Sequence, residues 1–387
     1  MKRFRFLSSF CLLFFVALQS GCTGTPVAER PAPLLLLISM DGFRWDFCDL
    51  YADETPTLRR LRDHGASSHG LIPVFPSNTF PNHYSVVTGL YPSNHGIINN
   101  QFLDTSLGRI FRAGPGGNVT ESEWWLGEPI WVTAEKSGQR AAVSFWPGSE
   151  AEIKGFRPSF WRPFNPRTTF EERFAEFRRW LALPEAERPR VISFYLEEAN
   201  NFGHAFGPES PEVAQTVKIL DARIGELLAA IAAADLEVNT VIVADHGMTP
   251  ISREHLIYLD DYIPIEDVQI DFDGSVVGLR PLHGNIDALL ASLASLQHAR
   301  AYRVEDLPSH FHVDPRNPRN PPLWIVPDEG WEIYPRTRVA AWGDRFNKGD
   351  HGFDPAVRSM HGIFIAHGPS IRKLPTPLDA FENVHVY

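Results

Sequence analysis

Cysteine is scarce in this chain, with only three in 387 residues, at positions 11, 22 and 48. That count excludes a disulfide framework, so the fold must rest on its apolar core. A basic stripe is also missing: 36 Lys and Arg face 47 Asp and Glu, a formal net charge of −11. Coating a phosphate backbone needs a positive surface, so nucleic acid is excluded as a partner class and small molecules are expected instead. No apolar run is long enough to span a bilayer comfortably. What is present is core-forming material, 43% hydrophobic and 12% aromatic, which excludes a disordered chain.

The N-terminus, "MKRFRFLSSFCLLFFVALQSGCTG", sets cations before a short apolar stretch and small residues before Cys22. This is the layout of a secretory signal over residues 1–22, so the mature protein is expected to be exported. "LQSGC" is similar to a bacterial lipobox, which would make Cys22 a lipid anchor, although Gln19 is not the usual apolar residue there. The other reading is an ordinary cleavage site and a soluble periplasmic protein. In either case Cys48 has only Cys22 as a possible disulfide partner.

Four apolar runs stop at polar clusters: "LLLLISMDG" (34–42), "VISFYLEE" (191–198), "TVIVADHG" (240–247) and "GIFIAHGP" (362–369). Runs apolar on both faces suit strands of a mainly parallel sheet, and helix-like segments lie between them. Thr55-Pro56 is expected to open a capped helix closed by Gly65. Ser210-Pro211 opens a longer one with Val217, Leu220, Ile224, Leu227 and Ile231 on one face. The fold class is α/β, with helices on both faces of the sheet. Residues of about 252–345 change to an α+β pattern, read as an insertion in a domain running from 34 to 387.

In open α/β sheets ligands bind beyond the carboxyl ends of the strands, where Asp41, the "YLEEANNFGH" cluster (195–204) and Asp245-His246 fall. "FPSNTFPNH" adds Thr79 and "GDHGFD" adds His351. Mixed carboxylate and imidazole ligands favour zinc over magnesium or calcium. Asn200, however, stands where a carboxylate would be the natural ligand, four residues before His204. Thr79 also reads as the N-cap of a helix starting at Pro81, and Trp146 as a core residue at a strand end.

The order "SMDGFR", "FPSNTFPNHYSVVTGLYPSNHGIINN", "FWPGSE", "GH..GP", "ADHGM", "GDHGFD" closely resembles the nucleotide pyrophosphatase/phosphodiesterase family of the alkaline phosphatase superfamily, in a bacterial exported form. The resemblance runs from about residue 34 to the end and implies an alkaline phosphatase-like sheet, two zinc ions and a covalent threonine intermediate. By position, Thr79 matches the nucleophile and a ligand of one zinc site together with Asp41, Asp245 and His246. Asn200, His204 and His351 match the other site, where the family has aspartate first. Asn100 matches an amide that holds a non-bridging phosphate oxygen, and Phe80, Trp146 and Phe164 match positions bordering a nucleobase. His361 and His367 are read as structural.

The resemblance thus implies hydrolysis of phosphodiester or pyrophosphate bonds in nucleotide-like substrates. Two other readings stay open: a glycerophosphodiester or phospholipid-type substrate, and a catalytically silent binding protein. Asn200 keeps the silent reading in play, since an amide retains an oxygen donor but loses a charge; weakened zinc binding, compensation by Glu197 or Glu198, or an empty site would each follow. Asn78 and Gln101 stand where some members have phosphate-holding lysines, which speaks against a preference for triphosphates. Pro355 replaces a frequent asparagine, and the ending "FENVHVY" falls where relatives usually continue, so a truncated C-terminus is expected.

Overall fold

The computed structural model describes residues 32–387 apart from 115 and 284. The expected signal segment and Cys22 lie outside the described residues, among which no helix is long and apolar enough to cross a membrane. Six strands build the central sheet: β1 (Leu34–Met40), β2 (Ala66–Ser67), β3 (Ala141–Ser144), β4 (Val191–Leu196), β5 (Val238–Val243) and β6 (Phe364–His367). Their spatial order is β2-β6-β5-β1-β4-β3. β3, β4, β1 and β5 run parallel, with Leu36 of β1 level with Ile192 on one side and Thr240 on the other.

Alternation along β1 explains its unbroken apolar run. Leu36, Ile38 and Met40 face one core and Leu37 faces a second, so both faces of the strand are covered. Helices α1 (Pro56–His64), α4 (Phe170–Leu181) and α6 (Pro211–Ala233) cover the first face, through Leu58, Phe177, Val217 and their neighbours. Helices α2 (Thr79–Thr88) and α3 (Ile130–Lys136) cover the second, through Tyr84, Val87 and Trp131. The helix α5 (Glu198–Phe206) follows β4 directly. All five residues expected on the inner face of α6 are buried.

Two local expectations change. Thr55 does not cap α1: its hydroxyl donates to the carbonyls of Cys48 and Tyr51. The free amides of Thr57 and Leu58 are instead accepted by the buried Asp221 carboxylate of α6, at 3.0 and 2.7 Å, which joins two distant helices while satisfying orphan donors. The run at 362–369 forms a strand, but β6 is antiparallel to β5, pairing Ile365 with Ile242. The segment carrying His351 lies at the carboxyl ends of the parallel strands, so the chain leaving it must run back the other way.

Residues 268–327 add a four-stranded antiparallel sheet with Leu279, Leu289, Leu323 and Ile325 in its own core. Phe272, Trp324 and Phe311 on its other side join the core beneath α2. Residues 33–387 form one compact unit.

His95 is fully buried in this second core, where its Nε2 meets the Ser85 hydroxyl at 2.9 Å, and burial pushes its pKa down to about 3. The unfolded chain titrates near its ordinary value of about 6.5, so between those values only the unfolded state binds the proton. Stability is therefore expected to fall as pH drops through that window, by up to about 1.4 kcal/mol per pH unit. Thermal melts should show a shallower acid slope for His95→Asn than for the parent, and an unchanged slope would contradict the assignment.

Candidate active site

Strand ends place the site. Asp41 follows β1, Asp245 and His246 follow β5, Trp146 follows β3, and α5 brings Asn200 and His204 from the end of β4. Gly42 makes the approach possible: at φ +69° it lies so close to α5 that a Cβ there would meet the Asn200 Cα at 2.9 Å. Only glycine fits both the conformation and the space.

Asp41, Asp245 and His246 are buried, and their ligand atoms lie within 4.8 Å of one another. His246 donates through Nδ1 to the Gly247 carbonyl at 2.8 Å, which turns its Nε2 lone pair toward the carboxylates. Nε2 is 3.0 Å from Asp245 Oδ2 and 3.5 Å from Asp41 Oδ1, yet neither oxygen has a well-directed hydrogen bond. Buried acceptors facing one another fit a cation between them. The outer oxygens are fixed: Tyr195 donates its hydroxyl to Asp41 Oδ2 at 2.5 Å, and the Gly42 amide donates to Asp245 Oδ1 at 3.2 Å.

With protons alone to balance it, this group is strongly perturbed. Burial and the Asp245 charge push Asp41 up to about 7. Burial would lower His246, but Asp245 and Asp41 outweigh it and raise it to about 9. Burial would likewise raise Asp245, and the neighbouring His246 and His83 hold it well below the usual carboxylate range instead. Opposed shifts packed this tightly mark a site built around positive charge.

A second group adjoins the first. His204, Asp350 and His351 also bring ligand atoms within 4.8 Å of one another. His351 stacks on His246 with ring centroids 3.6 Å apart, which links the two groups. His204 and His351 direct Nδ1 at the carbonyls of Gly349 and Ser77, both at 2.8 Å, leaving each Nε2 for a cation. Burial, reinforced by His246 and His204, pushes His351 down to about 3, so it is neutral and ligand-ready at ordinary pH. Asn200 stands one helical turn before His204 on α5, and its Oδ1 is buried with no hydrogen-bond partner. Neither Glu197 nor Glu198 joins this group, and Glu198 pairs with Arg223.

Thr79 is the first residue of α2, not its cap; Asn78 holds the cap position in extended conformation. The Thr79 hydroxyl makes no capping bond and faces His246 Nε2 at 3.4 Å. Asn100 accepts the Phe80 amide through Oδ1 at 2.9 Å, leaving its Nδ2 as the donor. Thr79 also borders a cavity of about 390 Å³ whose walls include Phe80, Trp146, Phe164, Phe145 and Tyr195. Trp146 is both core and cavity wall, since it is 2% exposed and donates to the His83 carbonyl at 3.0 Å. On the other side of Asn78 and Asn100 lies a polar cavity of about 520 Å³ lined by Gln101, Asp271, Asp273, Arg338, Asp350 and His351, among others. His361 lies outside both groups, held by Arg358 and the Pro355 carbonyl.

Four residues of the site escape sequence reading. Phe145 leaves β3 at φ 61° and packs edge-on to Phe164. Tyr195 reads as part of an apolar strand. His83, one turn after Thr79, has Nδ1 2.9 Å from the Thr79 carbonyl and 3.2 Å from Asp245 Oδ2, with Nε2 2.8 Å from Ser39 Oγ. Asp350 precedes His351 in "GDHGFD", and that adjacency is the one signal that could have found it.

A mainly parallel sheet that gathers carboxylates, histidines and a helix-borne threonine at its carboxyl ends defines an alkaline phosphatase-like α/β protein. The chain belongs to the type I phosphodiesterase / nucleotide pyrophosphatase family, a family of hydrolytic enzymes whose model matches residues 35–354. It is 36% identical over 389 residues to an uncharacterized pyrophosphatase/phosphodiesterase of Schizosaccharomyces pombe, covering 97% of this chain and 79% of that one. It is 34% identical to the venom phosphodiesterase of Naja atra, covering 96% of this chain but only 46% of the venom enzyme. Among solved structures, murine ectonucleotide pyrophosphatase/phosphodiesterase 5 superposes with a TM-score of 0.85 at 32% identity, covering 92% of this chain and 93% of that one. An inactive threonine-to-alanine variant of the murine protein, in complex with AMP, superposes equally well, at TM-score 0.85.

Proposed function

We propose that the protein hydrolyses phosphodiester or pyrophosphate bonds of nucleotide-like substrates through a covalent intermediate on Thr79. One observation carries this reading: the Thr79 hydroxyl is free of capping duty and stands between the Asp41–Asp245–His246 group and the aromatic cavity. Thr79 Oγ gives up its proton and attacks phosphorus, the bond from phosphorus to the leaving oxygen breaks, and a threonine phosphodiester forms while the leaving group departs with a proton taken up from solvent. Water then attacks the same phosphorus and breaks the bond to Oγ, which regains its proton. A threonine hydroxyl is a weak nucleophile at neutral pH and needs neighbouring positive charge.

Two zinc ions are the cofactors this donor chemistry supports, one held by Asp41, Asp245 and His246 with Thr79, the other by His204 and His351 with Asn200. When bound, they supply the charge that eases ionisation of a hydroxyl and offsets the negative charge growing on phosphate oxygens. Asn100 donates through Nδ2 to a non-bridging oxygen, and the N-terminus of α2 favours the same anion. The 390 Å³ cavity suits a stacked nucleobase, each stacking contact contributing about 1–3 kcal/mol. The AMP complex of the murine relative favours the same class of ligand.

The polar cavity favours neutral, hydroxylated leaving groups over polyphosphates, because Arg338, the one Lys or Arg among its described lining residues, is already paired with Asp273. That observation keeps glycerophosphodiesters as the second substrate reading. The silent-binding reading finds less support, since a binding role would not require a free hydroxyl beside the carboxylate–histidine group. Export in a bacterial cell, with or without lipid at Cys22, rests on the sequence layout of residues 1–22 and is tested by the mass of the mature N-terminus. Rapid acid quench of the zinc-loaded protein turning over p-nitrophenyl thymidine 5′-monophosphate should leave thymidine monophosphate on the peptide holding Thr79. Turnover that leaves no modified Thr79 peptide at any quench time would overturn the covalent route.

A further inference from the structure

The second group, as matched to the family, is one negative charge short. An aspartate with two histidines reduces a dication to a net +1, whereas Asn200 with the same two histidines leaves +2 in a partly buried site. The charge deficit has an answer within the same cluster. Asp350 brings a carboxylate oxygen within 4.8 Å of a ring nitrogen of both His204 and His351. Its Oδ1 accepts the His351 amide at 2.8 Å, which fixes the carboxylate, and lies 3.7 Å from His204 Nδ1.

Asp350 also lacks the basic partner that a structural carboxylate of this kind would have. Among the described residues, no Lys or Arg forms an ion pair with it. Arg338, the cation in the same cavity, pairs with Asp273 at 3.3 Å. The nearest charged-type side chain besides the histidines is another acid: Glu332, 2% exposed, hydrogen-bonds to Asp350 and receives the Tyr334 hydroxyl at 2.9 Å. Asp350, the two imidazoles and the Asn200 Oδ1, which is buried without a hydrogen-bond partner, thus gather in one cluster.

We propose that Asp350 supplies the missing carboxylate, so that the second cation is held by Asn200 Oδ1, His204, His351 and Asp350. This rests on the proposed function only for the presence of a cation at this group.

The test reads metal, not turnover. Zinc is titrated into the parent, Asp350→Asn, Asn200→Asp and the double variant under buffered free zinc, and content per chain is measured after equilibrium dialysis. The parent should hold two zinc ions. Asp350→Asn should weaken the second by about 100-fold while keeping the first, since losing even a supporting partner of a ligand costs about 10–100-fold. The double variant should recover it, because the carboxylate has only been exchanged between positions. Glu332→Gln, which leaves Asp350 in place, should bind zinc within about 10-fold of the parent.

Retention of both zinc ions at parental affinity by Asp350→Asn would overturn the proposal, as would a parent that holds only one. If Asp350→Asn does not fold, Asn200→Asp alone decides. A gain below about 10-fold means that a carboxylate already serves the site, and a gain above about 100-fold means that none does. A parent that binds two zinc ions in an Asp350-dependent way yet hydrolyses nothing would defeat the proposed function and leave this inference standing.

Discussion

Thr79→Ala is expected to lower turnover of p-nitrophenyl thymidine 5′-monophosphate by about 10⁴-fold or more, the scale seen when a covalent nucleophile is removed. The folded protein should be little affected, because Thr79 makes no capping bond at the start of α2 and Asn78 occupies the cap. Alanine is also the better helix former at that position. Thr79→Ser, which restores a hydroxyl, should recover part of the rate and all of the covalent adduct. A rate within tenfold of the parent in Thr79→Ala would remove Thr79 from the reaction, whatever the metal content.

The second large effect is expected at Asp245. Its carboxylate is the hub of the first group, 3.0 Å from His246 Nε2, 3.2 Å from His83 Nδ1 and tied to the Gly42 amide. Asp245→Asn keeps the shape but replaces an anionic ligand with an amide. We expect one zinc per chain to be lost and kcat/KM to fall by about 10³-fold, equivalent to about 4 kcal/mol of transition-state stabilisation. The second group already carries an amide, Asn200, four residues before His204. The contrast between the two positions follows from their surroundings: the second group has Asp350 beside it, while the carboxylates of the first are the only anions among its ligand atoms. An Asp245→Asn protein that keeps two zinc ions and most of its rate would contradict the assignment.

Much of this site is legible in the sequence because β-strands end where chemistry begins. "LLLLISM" and "TVIV" are apolar on both faces, which is the signature of covered parallel strands, so Asp41 and Asp245 could be placed at one end of a sheet before any coordinates. The helix that sets Asn200 and His204 on one face was not read from the sequence, where the two stand only as part of a polar cluster after a strand. What escaped depends on contacts between distant segments. Asp350 looks like a neighbour of a ligand until its oxygen is seen beside His204, 146 positions earlier in the chain. Tyr195 sits in an apolar run, and its hydroxyl reaches Asp41 at the end of the neighbouring strand. β6 reads as one more buried strand, because direction leaves no mark on composition. In the sequence Thr79 reads equally as cap and as nucleophile, since both roles ask for a hydroxyl at a helix start; the position of Asn78 at the cap separates them.

The central claim is that this chain, with Asn200 in place of the family's aspartate, is a working metal-dependent phosphodiesterase. The most direct test strips the protein with chelator, adds zinc back, and follows release of p-nitrophenol from p-nitrophenyl thymidine 5′-monophosphate beside the Asn200→Asp variant. The account predicts no turnover after stripping, recovery with zinc, and at most a modest gain from the aspartate. Recovery confined to Asn200→Asp would contradict it, leaving a sound fold and nucleophile in a chain whose second group no longer works.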